Sequence, residues 1–96
     1  LDNNFATYDY VEEIEKYYYL FKKDGISYKL YRVDKNNIDV YKYILNVPTT
    51  NIYFKDDYLY YVYKTKLYYY SDSIGLKIIL ENSELEFNDT IKYHIY

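Results

Sequence analysis

Tyr58-Leu59-Tyr60-Tyr61-Val62-Tyr63-Lys64-Thr65-Lys66-Leu67-Tyr68-Tyr69-Tyr70 is the stretch on which the reading of this chain turns. Two runs of aromatic and aliphatic residues flank a short polar break. Aromatic and β-branched side chains lose rotamer freedom in a helix and suit a pleated, buried surface. A strand wet on one face alternates apolar and polar residues. Here almost every position is apolar or amphipathic, which predicts a hairpin of strands covered on both faces.

Outward from that hairpin, the whole composition has the same character. Ninety-six residues make one domain or part of one, with a thin core. Half the residues are hydrophobic, yet mean hydropathy is −0.54, because 19 of them are Tyr. Tyrosine can line a core with its ring while its hydroxyl reaches water or a carbonyl. A net charge of −3, with no Lys/Arg cluster, argues against nucleic acid as a partner. Cysteine is absent, which excludes a disulfide framework, thiol catalysis and thiolate metal sites. No apolar run is long enough to span a bilayer as a helix. The chain starts at Leu1 and contains no Met, so we expect a processed or excised piece from which a signal or anchor has been removed. Lysine outnumbers arginine eleven to one, as an AT-rich coding genome would give.

Taken in order, the chain predicts short strands and polar turns. Phe5–Val11 reads as a first strand ended by Glu12-Glu13. Over 12–21 two readings compete: Val11, Ile14, Tyr18 and Phe21 fall at helical spacing, while Tyr17-Tyr18-Tyr19-Leu20-Phe21 favours strand, and strand is the preferred reading. Lys23-Asp24-Gly25 is a tight turn leading into a return strand at Ile26–Val33. Asp34-Lys35-Asn36-Asn37 turns, Ile38–Leu45 is a strand, and 46–50 is a loop holding the only proline, Pro48. Asn51–Phe54, a turn at Lys55-Asp56-Asp57, the Tyr58–Tyr70 hairpin, a turn at 71–75 and a strand at Leu76–Leu80 follow. Leu85–Phe87, a turn at Asn88-Asp89 and a strand at Thr90–Tyr96 close the chain.

This plan repeats. Tyr8–Phe21, Asn51–Tyr63 and Glu84–Tyr96 each read as short strand, acidic turn and Tyr-rich strand. One offset lays Ile52, Phe54, Asp56, Tyr60 and Val62 on Leu85, Phe87, Asp89, Tyr93 and Ile95. Lys29-Leu30-Tyr31 likewise matches Lys66-Leu67-Tyr68, and Lys42-Tyr43-Ile44-Leu45 matches Lys77-Ile78-Ile79-Leu80. The expected fold is all-β: an antiparallel meander in about two and a half four-stranded, propeller-blade-like units over 5–45, 51–80 and 84–96. With its run at Ile52–Tyr61 and Lys66-Leu67-Tyr68, the pattern resembles the Tyr-rich β-propeller-like repeats of bacterial surface proteins and lipoproteins. So few units cannot close a propeller, which takes four or more blades. The chain is therefore expected either to be a fragment of something longer or to pack as an open sheet or sandwich. In the open case Thr90–Tyr96 is the edge through which the chain would self-associate.

Little in the sequence points to catalysis. His94 is the lone histidine and lies in an apolar strand, without the partners of a triad or metal site. Glu12-Glu13, Asp56-Asp57 and Asp89 recur at turns, where Asp and Asn bond nearby backbone. Asp72 and Ser73 beside Gly75 are explained by a turn equally well. Gly25 and Gly75 stand alone, so there is no phosphate-binding loop. Asn88-Asp89-Thr90 fits a glycosylation sequon of low specificity. No catalytic residue, metal or cofactor is assigned. The expected function is a non-enzymatic binding or structural module, extracellular or in the cell envelope, recognising first a protein and second a polysaccharide. Tyr17, Tyr19, Tyr41, Tyr43, Tyr69 and Tyr96 are the candidate exposed contacts, because tyrosine is rigid, amphipathic and entropically cheap to order. The alternative is a hydrolase fragment using the acidic turn residues Asp56 and Asp57.

Overall fold

In the computed structural model of this protein the described residues are 3–55 and 58–81. They form no α-helix. A 3-10 turn, Asn3–Thr7, precedes eight strands: β1 Tyr10–Ile14, β2 Tyr17–Asp24, β3 Ser27–Asp34, β4 Lys42–Val47, β5 Ile52–Lys55, β6 Tyr58–Tyr63, β7 Lys66–Ser71 and β8 Gly75–Glu81. These make two antiparallel four-stranded meanders, β1-β2-β3-β4 and β5-β6-β7-β8. The chain divides into compact units at Thr50/Asn51, one for each sheet.

In the first sheet, Asp24 pairs with Ser27 across a two-residue loop, with Gly25 at φ 65°. A positive φ at the first central position is the geometry glycine supplies in a primed turn. Alternate residues then point to opposite faces. One face packs Leu20 and Val33 against Phe5, with Tyr8, Val11, Tyr18, Tyr31 and Tyr41 around them. Phe5 meets Tyr18 and Tyr41 edge-on at 5.2 and 5.9 Å, so the N-terminal turn and the β3–β4 loop cap this face. Edge-to-face pairs like these add about 0.5–1.5 kcal/mol beyond area burial. Asp9 N–H donates to the Phe21 carbonyl, and Lys23 N–H donates to Asp9 Oδ2, pinning the turn to β2. The opposite face carries its own buried row, Tyr19, Phe21, Leu30 and Val47.

The second sheet buries Ile52, Phe54, Leu59 and Tyr61 on one face, with Tyr61 stacked on Tyr68 at 4.8 Å. Burial, and secondly the charge of Tyr68, pushes the Tyr61 hydroxyl up to about 12. The other face carries Leu67 and Ser71 buried, beside tyrosines that are not. Tyr63 pairs with Lys66, so Lys64 and Thr65 alone make the turn, both at positive φ, 49° and 66°. Ser71 Oγ accepts the Ile74 N–H and lies 3.3 Å from Ser73 Oγ, closing the β7–β8 turn. Gly75 follows at φ 83°. Both sheets contain a register shift between their third and fourth strands, at Leu30/Tyr31 and at Leu67/Tyr68.

Several sequence expectations need correction. Phe5–Val11 is not a strand: Phe5 swings into the core on the 3-10 turn, and β1 starts only at Tyr10. Glu12 and Glu13 do not turn the chain but pair with Tyr19 and Tyr18 within β1, and the turn falls at Glu15-Lys16, with Glu15 at φ 51°. Glu13 keeps its carboxylate at the surface against Lys35. The preferred strand reading of 12–21 holds on either side of the Glu15-Lys16 turn, since residues 12–14 lie in β1 and pairing to β3 uses every residue from Tyr17 to Asp24. Ile26 belongs to the Gly25 turn and is 96% exposed. The fourth strand is Lys42–Val47, not Ile38–Leu45, because Asn37 N–H and Val40 N–H bond Asp34 and Asn37 carbonyls in successive turns, while Val47 is buried opposite Tyr28. The hub hairpin is not closed on both faces either: Tyr58 is 41% exposed. Asp56, Asp57, the sequon, His94, the unit 84–96 and the edge at Thr90–Tyr96 lie outside the described residues.

Candidate functional site

The half-open face of the second sheet is built by pairing. Tyr53 faces Tyr60, Tyr60 faces Tyr69, and Tyr69 faces Lys77, so one row crosses all four strands. Tyr58 sits two residues before Tyr60 and joins the same face. The rings form a connected strip: Tyr53–Tyr60 at 6.2 Å, Tyr60–Tyr69 at 5.2 Å and Tyr58–Tyr69 at 5.6 Å, mutually inclined by 39°, 63° and 35°. Inclined contacts put a positive ring edge on a neighbour's negative face and hold each ring in place. Burial, then the neighbouring Tyr69 and Tyr58, raises the Tyr60 pKa, so the Tyr60 hydroxyl is held as a protonated donor. Lys55, beside Tyr58, and Lys77 are the charged strand residues described on this face, and it carries no carboxylate among them.

The first sheet offers a polar counterpart at the same register positions. Tyr17 pairs with Asp34, and Arg32 pairs with Lys42, as Tyr58 pairs with Ser71 and Tyr69 with Lys77. Arg32 lies over the Tyr17 ring at 4.7 Å.

The tyrosines singled out in the sequence meet different fates. Tyr69 is in the strip, and Tyr17 is half-buried under Arg32. Tyr43 is 50% exposed, its ring edge-on to Tyr31 and its hydroxyl donating to Asn46 Oδ1 at 2.5 Å. Tyr41 packs into the core around Phe5, stacked 6.0 Å from Tyr8. Tyr19 is not an exposed contact: it is 3% exposed, held mid-strand between Glu12 on β1 and Arg32 on β3. Tyr96 lies outside the described residues. Tyr53, Tyr58 and Tyr60 were not singled out by sequence. The signal that finds them is register, since only the pairing of β5, β6 and β7 sets their rings beside Tyr69.

Among the described residues no group of three or more His, Cys, Asp or Glu is placed to hold a metal ion, and no helix is long and apolar enough to cross a membrane. No family model, curated protein or solved structure matches this chain.

Proposed function

We propose that this chain is a non-enzymatic binding module, made of blade-like repeats of the bacterial cell-surface kind, that recognises a polysaccharide through the Tyr53–Tyr58–Tyr60–Tyr69 strip. The observation that carries it is the strip itself: four rings braced against one another and left partly open, flanked by Lys55 and Lys77. Sugar rings present apolar C–H faces with hydroxyls at the rim. Tyrosine matches both, stacking with its ring and bonding with its hydroxyl, while the lysines donate to sugar oxygens. We take a polysaccharide ahead of a protein partner because the strip is a row of rings carrying hydroxyls and flanked by two ammonium groups, which match sugar C–H faces and sugar oxygens. The repeat reading draws support from register. Ile44 and Ile79 are the residues skipped at the two strand-pair shifts, and they are the same pair that the sequence offset superposes.

The test is a glycan panel read by tyrosine fluorescence and by two-dimensional NMR of the full chain. Binding should perturb the amides of Tyr53, Tyr60 and Tyr69, and Tyr60→Ala with Tyr69→Ala should abolish it while the chain stays folded. A panel without response, or a response that survives the double substitution, would remove the reading.

A further inference from the structure

We propose that Tyr58 and Tyr69 form a modification site, at which a haem peroxidase acting with hydrogen peroxide joins the two rings covalently and ties β6 to β7. This holds whatever the strip binds. Cysteine, methionine and tryptophan are absent from the sequence, while tyrosine occurs 19 times. Sulfur side chains are the usual first targets of oxidants. Without them, and without indole, the phenols are the groups that give up electrons most readily. Oxidation of this chain is therefore tyrosine chemistry.

Geometry chooses among the tyrosines. Coupling needs one ring that an oxidant reaches and a second ring close beside it. Tyr58 is 41% exposed, and Tyr69 lies 5.6 Å away with its ring inclined by 35°, nearer to parallel than to edge-on-face. Tyr58 stands opposite Ser71 and Tyr69 opposite Tyr60, so the two are diagonal neighbours, within reach of aromatic side chains. Other described pairs lack one of these features. Tyr61 and Tyr68 stack closer, at 4.8 Å, but Tyr61 is 2% exposed, and burial pushes its hydroxyl up to about 12, holding the proton that must leave with the electron. Tyr8 and Tyr41 stack at 6.0 Å while packed on the Phe5 core. Tyr10 and Tyr43 are exposed, yet they meet Tyr28 and Tyr31 edge to face at 71° and 63°. Tyr60 lies 5.2 Å from Tyr69 but is inclined to it by 63°.

Electrons and protons balance. Each hydroxyl gives up one electron and one proton, and the peroxide takes both pairs and becomes two waters. The two phenoxyl radicals combine in a bond between a Cε of Tyr58 and a Cε of Tyr69. Each of those carbons then passes its hydrogen to its own phenol oxygen, which restores both aromatic rings and both hydroxyls. The product is the chain less two hydrogen atoms, with a covalent loop closed from Tyr58 to Tyr69. Such a link fixes the register of β6 on β7, because a slip between the strands would part the two rings.

The experiment treats the full chain at high dilution with a haem peroxidase and limiting hydrogen peroxide, then digests the monomer fraction with trypsin. Cleavage after lysine places Tyr58 on peptide 56–64 and Tyr69 on peptide 67–77. The expected result is blue dityrosine fluorescence and these two peptides joined, lighter than their sum by two hydrogens, with fragmentation locating the bond at Tyr58 and Tyr69. Tyr58→Phe and Tyr69→Phe each keep the ring but remove the O–H that is oxidised, so each should lose the joined species with the melting temperature unchanged. Tyr60→Phe should keep it. A monomer without joined peptides, coupling only between chains, a bond located at Tyr60 or at Tyr61 and Tyr68, or a joined species that survives Tyr58→Phe would overturn the assignment. No saccharide enters this readout, so its failure is distinguishable from failure of the polysaccharide reading.

Discussion

Thr65→Gly should stabilise this protein, and the reason is local. Tyr63 pairs with Lys66, leaving two residues to reverse the chain, at φ 49° and 66°. That is the geometry of a type I′ turn, whose twist suits the flanking strands and whose usual occupants are Asn-Gly. Here the glycine position holds a β-branched residue. A left-handed conformation crowds Cβ against the following carbonyl, at a cost of about 1–2 kcal/mol. Glycine removes the clash but gains freedom in the unfolded chain, returning roughly 0.4–1 kcal/mol. The bond from Thr65 Oγ1 to the Lys64 carbonyl is solvent-exposed, and its loss costs at most about 0.5 kcal/mol. The balance favours Thr65→Gly by about 0.5 kcal/mol, and Lys64→Asn with Thr65→Gly by about 1 kcal/mol. For a chain of this size 1 kcal/mol moves Tm by about 4–8 °C. Urea and thermal melts followed by circular dichroism measure this. Thr65→Ala is the control, since it keeps the Cβ in the left-handed region and should gain little. If Thr65→Ala stabilised as much as Thr65→Gly, or if both glycine variants melted earlier than wild type, the Cβ clash would not be the source and the argument would fail.

Leu30→Ala removes a fully buried side chain from the first sheet and should cost about 2–5 kcal/mol in the same melts; a loss below 1 kcal/mol would mean the site collapses without a cavity. Ser71→Ala deletes the acceptor for the Ile74 N–H at a buried position and should cost about 1 kcal/mol, with Ser71→Thr retaining part of it. Tyr61 ionises near 12 in the folded chain against about 10 when unfolded, so between those values the folded state holds the extra proton. Its contribution is complete below pH 10 and is lost as pH rises toward 12. Tyr61→Phe should therefore show a smaller drop in Tm between pH 9 and 11 than wild type, and an equal drop would refute the assignment.

Secondary structure type was legible in Tyr17–Phe21 and Tyr58–Tyr70 because aromatic and β-branched runs have few competing conformations. Asp24-Gly25 was legible as a hairpin because only glycine reaches that φ without strain. Boundaries were not. Glu12-Glu13 looks like a turn in sequence and lies in an edge strand, where a carboxylate reaches water or Lys35 as easily as it would in a loop. Phe5 is as apolar as any strand residue, and the aromatic rings of Tyr18 and Tyr41 draw it into the core on a 3-10 turn instead.

The candidate site was legible only as an abundance of tyrosine. Among the four rings of the strip, Tyr69 was singled out and Tyr53, Tyr58 and Tyr60 were not, because nothing local separates an exposed tyrosine from a core one when both alternate along the same strands. Tyr19 and Tyr60 make the point: each stands mid-strand in its own sheet, yet Tyr19 is buried and Tyr60 stays partly open. Residue chemistry was enough for an all-β meander with polar turns, since strand propensity and turn chemistry act over a few neighbouring residues. The tyrosine strip had to wait for the tertiary structure. It is made by register between strands, and a slip of one residue would turn every one of those side chains to the opposite face.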